Sequence, residues 1–180
     1  MVQPTNLTRL DHFRKYSANT MNDEPLRLLA DGMLGKLSKW LRLLGYDCAY
    51  DNVAGDPELA RRARAESRVL LTRDRELAAR RGLRALLIQS EILENQLREL
   101  QAALGPPPHP PLSRCAVCNT ALETAAPTEI TARVPPYVLR TQAEFHHCPG
   151  CDRIYWPGSH FRGIRDRIEK FTAQEKKRGA

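Results

Sequence analysis

The chain has 180 residues, a 42% apolar share, five cysteines and a formal net charge of +7. That length allows one ordinary domain plus a small second unit, and no apolar run approaches the roughly 20 residues of a membrane span. The cationic excess favours an anionic partner, nucleic acid foremost, while closely paired cysteines without a signal-peptide pattern exclude a secreted disulfide framework and point to the cytoplasm and a bound metal.

Residues 1–25 carry balanced charges and no apolar periodicity, as a mobile tail would. The run Arg27–Ala30 then reads as a short buried strand that stops at Asp31. Beyond Gly32, the residues Leu34, Leu37, Trp40, Leu41 and Leu44 recur at helical steps, and Gly45 suits the helix end. Lys36, Lys39 and Arg42 fall between them and are expected on the solvent side. Residues 46–50 make a second strand. Asp56-Pro57 starts the next helix, with Asp56 as N-cap and Pro57 at the first helical position. Residues 68–72 form a third, near-continuously apolar strand that also runs into a carboxylate, Asp74. Residues 85–88 form a fourth strand, and Ser90 is expected to cap a helix carrying Ile92, Leu93, Leu97, Leu100 and Leu104. The alternation predicts a parallel sheet with right-handed crossovers, a three-layer α/β domain over residues 26–104.

Residues 105–111, GPPPHPP, form a stiff linker. Residues 112–160 change in composition, with prolines, aromatics and alternating runs such as Glu129–Val134. Residues 161–180 read as a basic helix and tail, with Arg162, Arg165, Arg167 and Lys170 as a candidate basic stripe.

Cys115-Ala-Val-Cys118 and Cys148-Pro-Gly-Cys151 are two C-x2-C turns separated by 29 residues. Two thiolates on one tight turn reach a single Zn²⁺, and two such turns complete its tetrahedron. A four-thiolate site leaves no open position, so the zinc is structural, and a module this small needs the staple. His146, His147 and His160 are then expected around the site or at the surface, and Cys48 in the core.

In a parallel sheet Asp31, Asp56 and Asp74 fall along one carboxyl edge. Their repulsion is tolerable beside a divalent cation, and Mg²⁺ or Mn²⁺ prefers such oxygen donors. Two such ions serve phosphodiester cleavage. Glu58 and Glu76 are possible further ligands, though first-turn acids also sit well with the helix dipole. Each aspartate has a competing role as a helix cap. Lys36, Thr72 and Arg73 are placed to hold a phosphate.

The segments ADGMLGKLSKWLRLLGYD, SRVLLTRDREL, SRCAVCNTAL, VPPYV and EFHHCPGCDRIYWPGSHF together resemble the Mut-seven C-terminal RNase domain family, over about residues 26–163. The resemblance implies a PIN-like α/β/α nuclease domain followed by a zinc-ribbon β module, with Mg²⁺- or Mn²⁺-dependent cleavage of RNA. It places the family's acids on Asp31, Asp56 and Asp74. Gly32 departs from the bulkier residue expected after the first aspartate. The expectation is a cytoplasmic metal-dependent ribonuclease whose ribbon and basic helix bind RNA. The alternatives are a non-catalytic nucleic-acid-binding zinc-ribbon protein and an aspartate-nucleophile phosphatase. The latter needs a second acid where this chain has Met33.

Overall fold

The computed structural model describes residues 25–158 together with Arg162, Gly163 and Asp166. The expected N-terminal tail, apart from Pro25, and most of the expected basic helix therefore lie outside the described residues. The chain divides into two units at Pro108 and His109, and Arg42–Gly45 groups with the second.

Four strands build the first unit: β1 (Arg27–Ala30), β2 (Asp47–Tyr50), β3 (Val69–Thr72) and β4 (Ala85–Leu87). They pair in parallel in the order β2-β1-β3-β4. Leu28, Leu29, Ala30, Leu70 and Leu71 are wholly excluded from solvent. Strands covered on both faces need apolar residues at consecutive positions, which is why these segments do not alternate. A single 3-10 turn (Gly32–Leu34) leads into α1 (Gly35–Leu44). Then α2 (Asp56–Ala65) joins β2 to β3, α3 (Arg75–Ala78) joins β3 to β4, and α4 (Leu93–Leu104) follows β4. This is the mixed α/β architecture that the alternation predicts.

The connection from β1 to β2 runs one way along the sheet, and those from β2 to β3 and β3 to β4 run the other way. Right-handed crossovers put α1 on one face and α2 and α3 on the opposite face. Leu29, Ala49, Leu70 and Ala85 of the sheet cluster with Leu59, Ala60 and Ala63 of α2 and Leu77 of α3 on that second face. The winding reverses between β1 and β3, so the crevice at their carboxyl ends is the topological switch point, where open α/β sheets bind ligands.

Three local expectations differ from the structure. Gly55, not Asp56, is the N-cap of α2, and Asp56 is its first residue, with no capping bond. The helix after β4 is capped at Ile92, not Ser90. Glu99 explains the later start, because its carboxylate accepts from the Gln89 and Ser90 N–H groups and holds that segment as a turn. Arg42, expected in solvent, is buried.

The second unit has a three-stranded antiparallel sheet, β5 (Glu123–Thr124), β6 (His146–His147) and β7 (Ile154–Tyr155), in that order. Two short helices, α5 (Pro127–Ile130) and α6 (Pro136–Thr141), lie between β5 and β6. Ala125, Ile130, Val134, Val138 and Phe145 form its core. The alternating run Glu129–Val134 is therefore not a strand. Pro127 suits a helix start, Glu129 Oε2 accepts from the Ala126 N–H at 2.8 Å, and Ile130 and Val134, four apart, both reach the core.

Candidate active site and candidate metal centre

Asp31 is the first residue past β1, and its N–H extends the ladder to Leu71 O at 3.1 Å. Its Oδ1 accepts from the Met33 N–H at 2.9 Å, and its Oδ2 accepts from the Thr72 hydroxyl. The same Thr72 oxygen accepts from the Asp74 N–H at 2.9 Å, and Asp74 Oδ1 accepts from the Leu77 N–H at 2.9 Å. Thr72 thus joins two aspartates across the switch point. Asp31 is only 5% exposed and Thr72 is fully buried. A carboxylate so enclosed needs hydrogen-bond donors or a cation to offset its lost hydration. Both aspartates spend one oxygen on a cap, Asp31 on the 3-10 turn and Asp74 on α3, so the capping role is real at each.

The other expected groups are more dispersed. Asp56 pairs with Arg80 at 3.3 Å, and Glu58 is exposed and held by Arg61 through two bonds of 2.7 and 2.5 Å. Glu76, Lys36 and Lys39 are exposed. Arg73 donates to Glu91 at 2.6 Å. Thr72, expected to touch phosphate, has its hydroxyl taken by Asp31 and Asp74. Among the described residues, only the four cysteines form a set of three or more ligand groups close enough to share a metal ion.

Asp51, the first residue past β2, is a further acid at this edge. Its position was signalled by Asp31, since Ala30 and Tyr50 are register partners and the two aspartates follow them. Asp51 Oδ1 accepts from the Val53 and Ala54 N–H groups at 3.1 and 2.9 Å, and Oδ2 from Arg62 at 3.2 Å. Those two backbone donors, with Arg62 behind them, hold its carboxyl below the usual range. Its task is to shape the β2–α2 loop.

The cysteine turns repeat one geometry. The Asn119 N–H bonds Cys115 O at 3.0 Å, and the Asp152 N–H bonds Cys148 O at 2.8 Å. The Cys115 N–H bonds Thr120 O, and the Cys148 N–H bonds Arg153 O, both at 2.8 Å. Asn119 and Asp152 take the left-handed conformation at φ 73° and 59°, which these side chains tolerate. A Cβ on Gly150 would overlap Thr120 Oγ1, so that turn needs glycine. All four sulfurs lie within 4.8 Å of one another, with separations of 3.3 Å for Cys118–Cys148 and 3.6 Å for Cys115–Cys151 and Cys148–Cys151. Ligands about 2.3 Å from a tetrahedral zinc would be about 3.8 Å apart, so the cluster fits Zn²⁺. In the protein alone, burial and then the neighbouring sulfurs push the Cys151 thiol up to about 12, a cost that a cation removes.

Further hydrogen bonds brace this cluster. The Tyr155 hydroxyl lies 3.0 Å from Cys115 Sγ, and the Val117 and Cys118 N–H groups each point to that sulfur at 3.4 Å. Arg42 donates to Ala116 O at 3.2 Å and Val117 O at 2.7 Å, bracing the first turn. Asp152, beside the second, receives Arg133 at 2.8 Å and His147 Nε2 at 2.8 Å. His147 is therefore a neighbour of the site rather than a ligand, as expected.

These features define a class of protein: an α/β domain with aspartates at its switch point, followed by a four-cysteine module compatible with a zinc ribbon. The Mut7-C RNAse domain model matches residues 26–168, and the chain belongs to that family. Membership points to a ribonuclease-type function, in general terms that of a nuclease. No curated protein and no solved structure matches the chain. No helix among the described residues is long and apolar enough to cross a membrane.

Proposed function

We propose that the protein is a Mg²⁺- or Mn²⁺-dependent ribonuclease of the cytoplasm, its reaction centred on Asp31, Asp56 and Asp74, with its ribbon aiding RNA binding. The observation that carries this reading is the Asp31–Thr72–Asp74 chain at the switch point. Its donors are hard oxygens, and Mg²⁺ takes one or two carboxylates while keeping several waters, so Asp31 and Asp74 suffice as direct ligands. Asp56, whose carboxylate pairs with Arg80, would complete the acidic set. A divalent ion held there would supply charge compensation for the phosphodiester and lower the pKa of a nearby water.

The chain's own residues do the positioning. Thr72 fixes the Asp31 carboxylate, and the Asp74 cap fixes the other. Lys36 is exposed and supplies a cation to phosphate. Arg73 does the same by exchanging Glu91, whose side chain is 79% exposed and cheaply released to water. The Cys115, Cys118, Cys148 and Cys151 site holds structural Zn²⁺. The cytoplasmic assignment is supported by five cysteines with no disulfide among them.

The test is cleavage of a panel of RNAs with Mg²⁺ or Mn²⁺ titrated in, using Asp31→Asn as control. Divalent-dependent products from the wild type alone support the reading. A second reading, a nucleic-acid-binding protein without catalysis, is favoured by the capping bonds of Asp31 and Asp74 and the pairing of Asp56 with Arg80. It predicts RNA binding without cleavage at any divalent concentration.

A further inference from the structure

One hydrogen-bond device recurs after every strand of the parallel sheet. A side-chain oxygen accepts from the backbone N–H two residues on: Asp31 from Met33 at 2.9 Å, Asp51 from Val53 at 3.1 Å, Thr72 from Asp74 at 2.9 Å and Ser90 from Ile92 at 3.1 Å. In strand order the residues so presented are Val53, Met33, Asp74 and Ile92. Three are large and apolar, and they are 89%, 66% and 59% exposed for Val53, Met33 and Ile92. The remaining exposed large apolar residues among those described, Val117 and Tyr137, belong to the second unit. Among the described residues of the first unit, then, every exposed large apolar side chain stands at the carboxyl edge, beside the candidate active site.

Single exposed apolar residues are ordinary, but their confinement to one edge is not. These three are also held by short turns that fix their backbone. We infer that Val53, Met33 and Ile92 form a base-contacting rim, so that the site takes RNA whose bases are unpaired. The inference rests on the ribonuclease reading for the nature of its ligand and adds what that ligand presents. Neighbouring strands are about 4.8 Å apart, so the rim spans roughly 14 Å, with Asp74 inside it. A strand of RNA laid along that edge offers phosphate to the acidic site and base faces to the tips on either side. Paired bases keep their faces stacked, whereas unpaired bases are free to bury them on protein side chains. Asp74 interrupts the row between Met33 and Ile92. That is unlike the contiguous apolar centre of a protein–protein interface.

The experiment uses Met33→Ser, Val53→Ser and Ile92→Ser, singly and combined, in the full chain. Serine keeps the backbone N–H of each turn, and the exposed side chains leave the unfolding midpoint unchanged. Equilibrium binding without added Mg²⁺ or Mn²⁺ is measured for a fluorescent single-stranded RNA, the same strand with abasic riboses, and a duplex. Cleavage with Mn²⁺ is measured in parallel. The wild type is expected to prefer the base-bearing strand by at least about fivefold, the low end for base-face contacts. The triple variant is expected to lose that preference and show a raised KM with kcat retained. Equal wild-type affinity for the abasic strand, or a preference that survives in the triple variant, overturns the inference. So does a change in oligomeric state with RNA binding intact, which would assign the tips to a second copy of the chain. If the wild type cleaves nothing yet shows a base preference that the triple variant loses, the rim stands and the ribonuclease reading falls.

Discussion

Replacing Thr72 with valine keeps the shape of a wholly buried side chain and deletes the hydroxyl that links Asp31 to Asp74. Asp31 Oδ2 then loses its donor in a site only 5% exposed. A hydrogen bond to a charged group contributes about 1.5–3 kcal/mol, and the Asp74 N–H, half-buried, adds about 0.5–1.5 kcal/mol. The expected loss is thus about 2–4.5 kcal/mol. Thr72→Ser keeps both bonds and removes one methyl, at about 1 kcal/mol. The first unit's stability is best followed by native-state hydrogen exchange at Leu70 and Leu71, in the centre of its sheet, with urea unfolding as a second measure. On the proposed metal-site reading a divalent cation would take over part of the compensation of Asp31, so added Mn²⁺ should narrow the gap between Thr72→Val and wild type. A valine variant within 0.5 kcal/mol of wild type, or a serine variant as unstable as valine, would refute the role assigned to the hydroxyl.

Asp31→Asn retains one acceptor for the Met33 N–H but turns an amide toward the Thr72 hydroxyl. It should lose cleavage and Mg²⁺ or Mn²⁺ binding, at a stability cost of at most about 3 kcal/mol, and wild-type cleavage by this variant would end the metal-site reading. Purified protein should carry zinc by elemental analysis, and Gly150→Ala, which drives a methyl into Thr120 Oγ1, should release it faster to a chelating dye. Overpacking of about 1–3 kcal/mol corresponds to at least about a fivefold change, and unchanged release would contradict the turn geometry. The carboxyls of Asp51, under its backbone donors, and of Glu66, under Arg62, are held below their usual range. Their folded values are depressed, so their stabilisation is complete above about pH 5 and is lost as pH falls through about 4 and below. Asp51→Asn should flatten that acid limb in pH-dependent unfolding, and an unchanged slope would count against the assignment.

The sheet was legible because its strands are buried on both faces and their apolar runs are uninterrupted. The four-cysteine cluster was legible because cysteine spacing encodes turn geometry directly. Asp31 and Asp74 were placed by the same logic, as the residues at which apolar runs stop. Asp51 escaped because the polar loop after it hides the strand end that its register with Asp31 reveals. The expected cap at Asp56 was off by one residue, since glycine also occupies N-cap positions and leaves no side-chain signal. The link through Thr72 could not be read from spacing, because it depends on two strands lying side by side although 41 residues separate Asp31 from Thr72. Arg42 was misread for a related reason: its acceptors are backbone carbonyls, which no residue type advertises.

That arginine has a consequence in time. Its guanidinium meets carbonyls 74 and 75 residues further along the chain. At 5–20 residues per second, the ribosome makes those acceptors roughly 4–15 s after Arg42 itself. The helix that carries Arg42 can form at once from local contacts, yet its final turn meets these acceptors only when the first cysteine turn emerges. A nascent chain paused before Ala116 should therefore show slow hydrogen exchange in the early turns of α1 and fast exchange at Arg42–Gly45. Continued synthesis, more than zinc arrival alone, would then set when that helix end becomes protected.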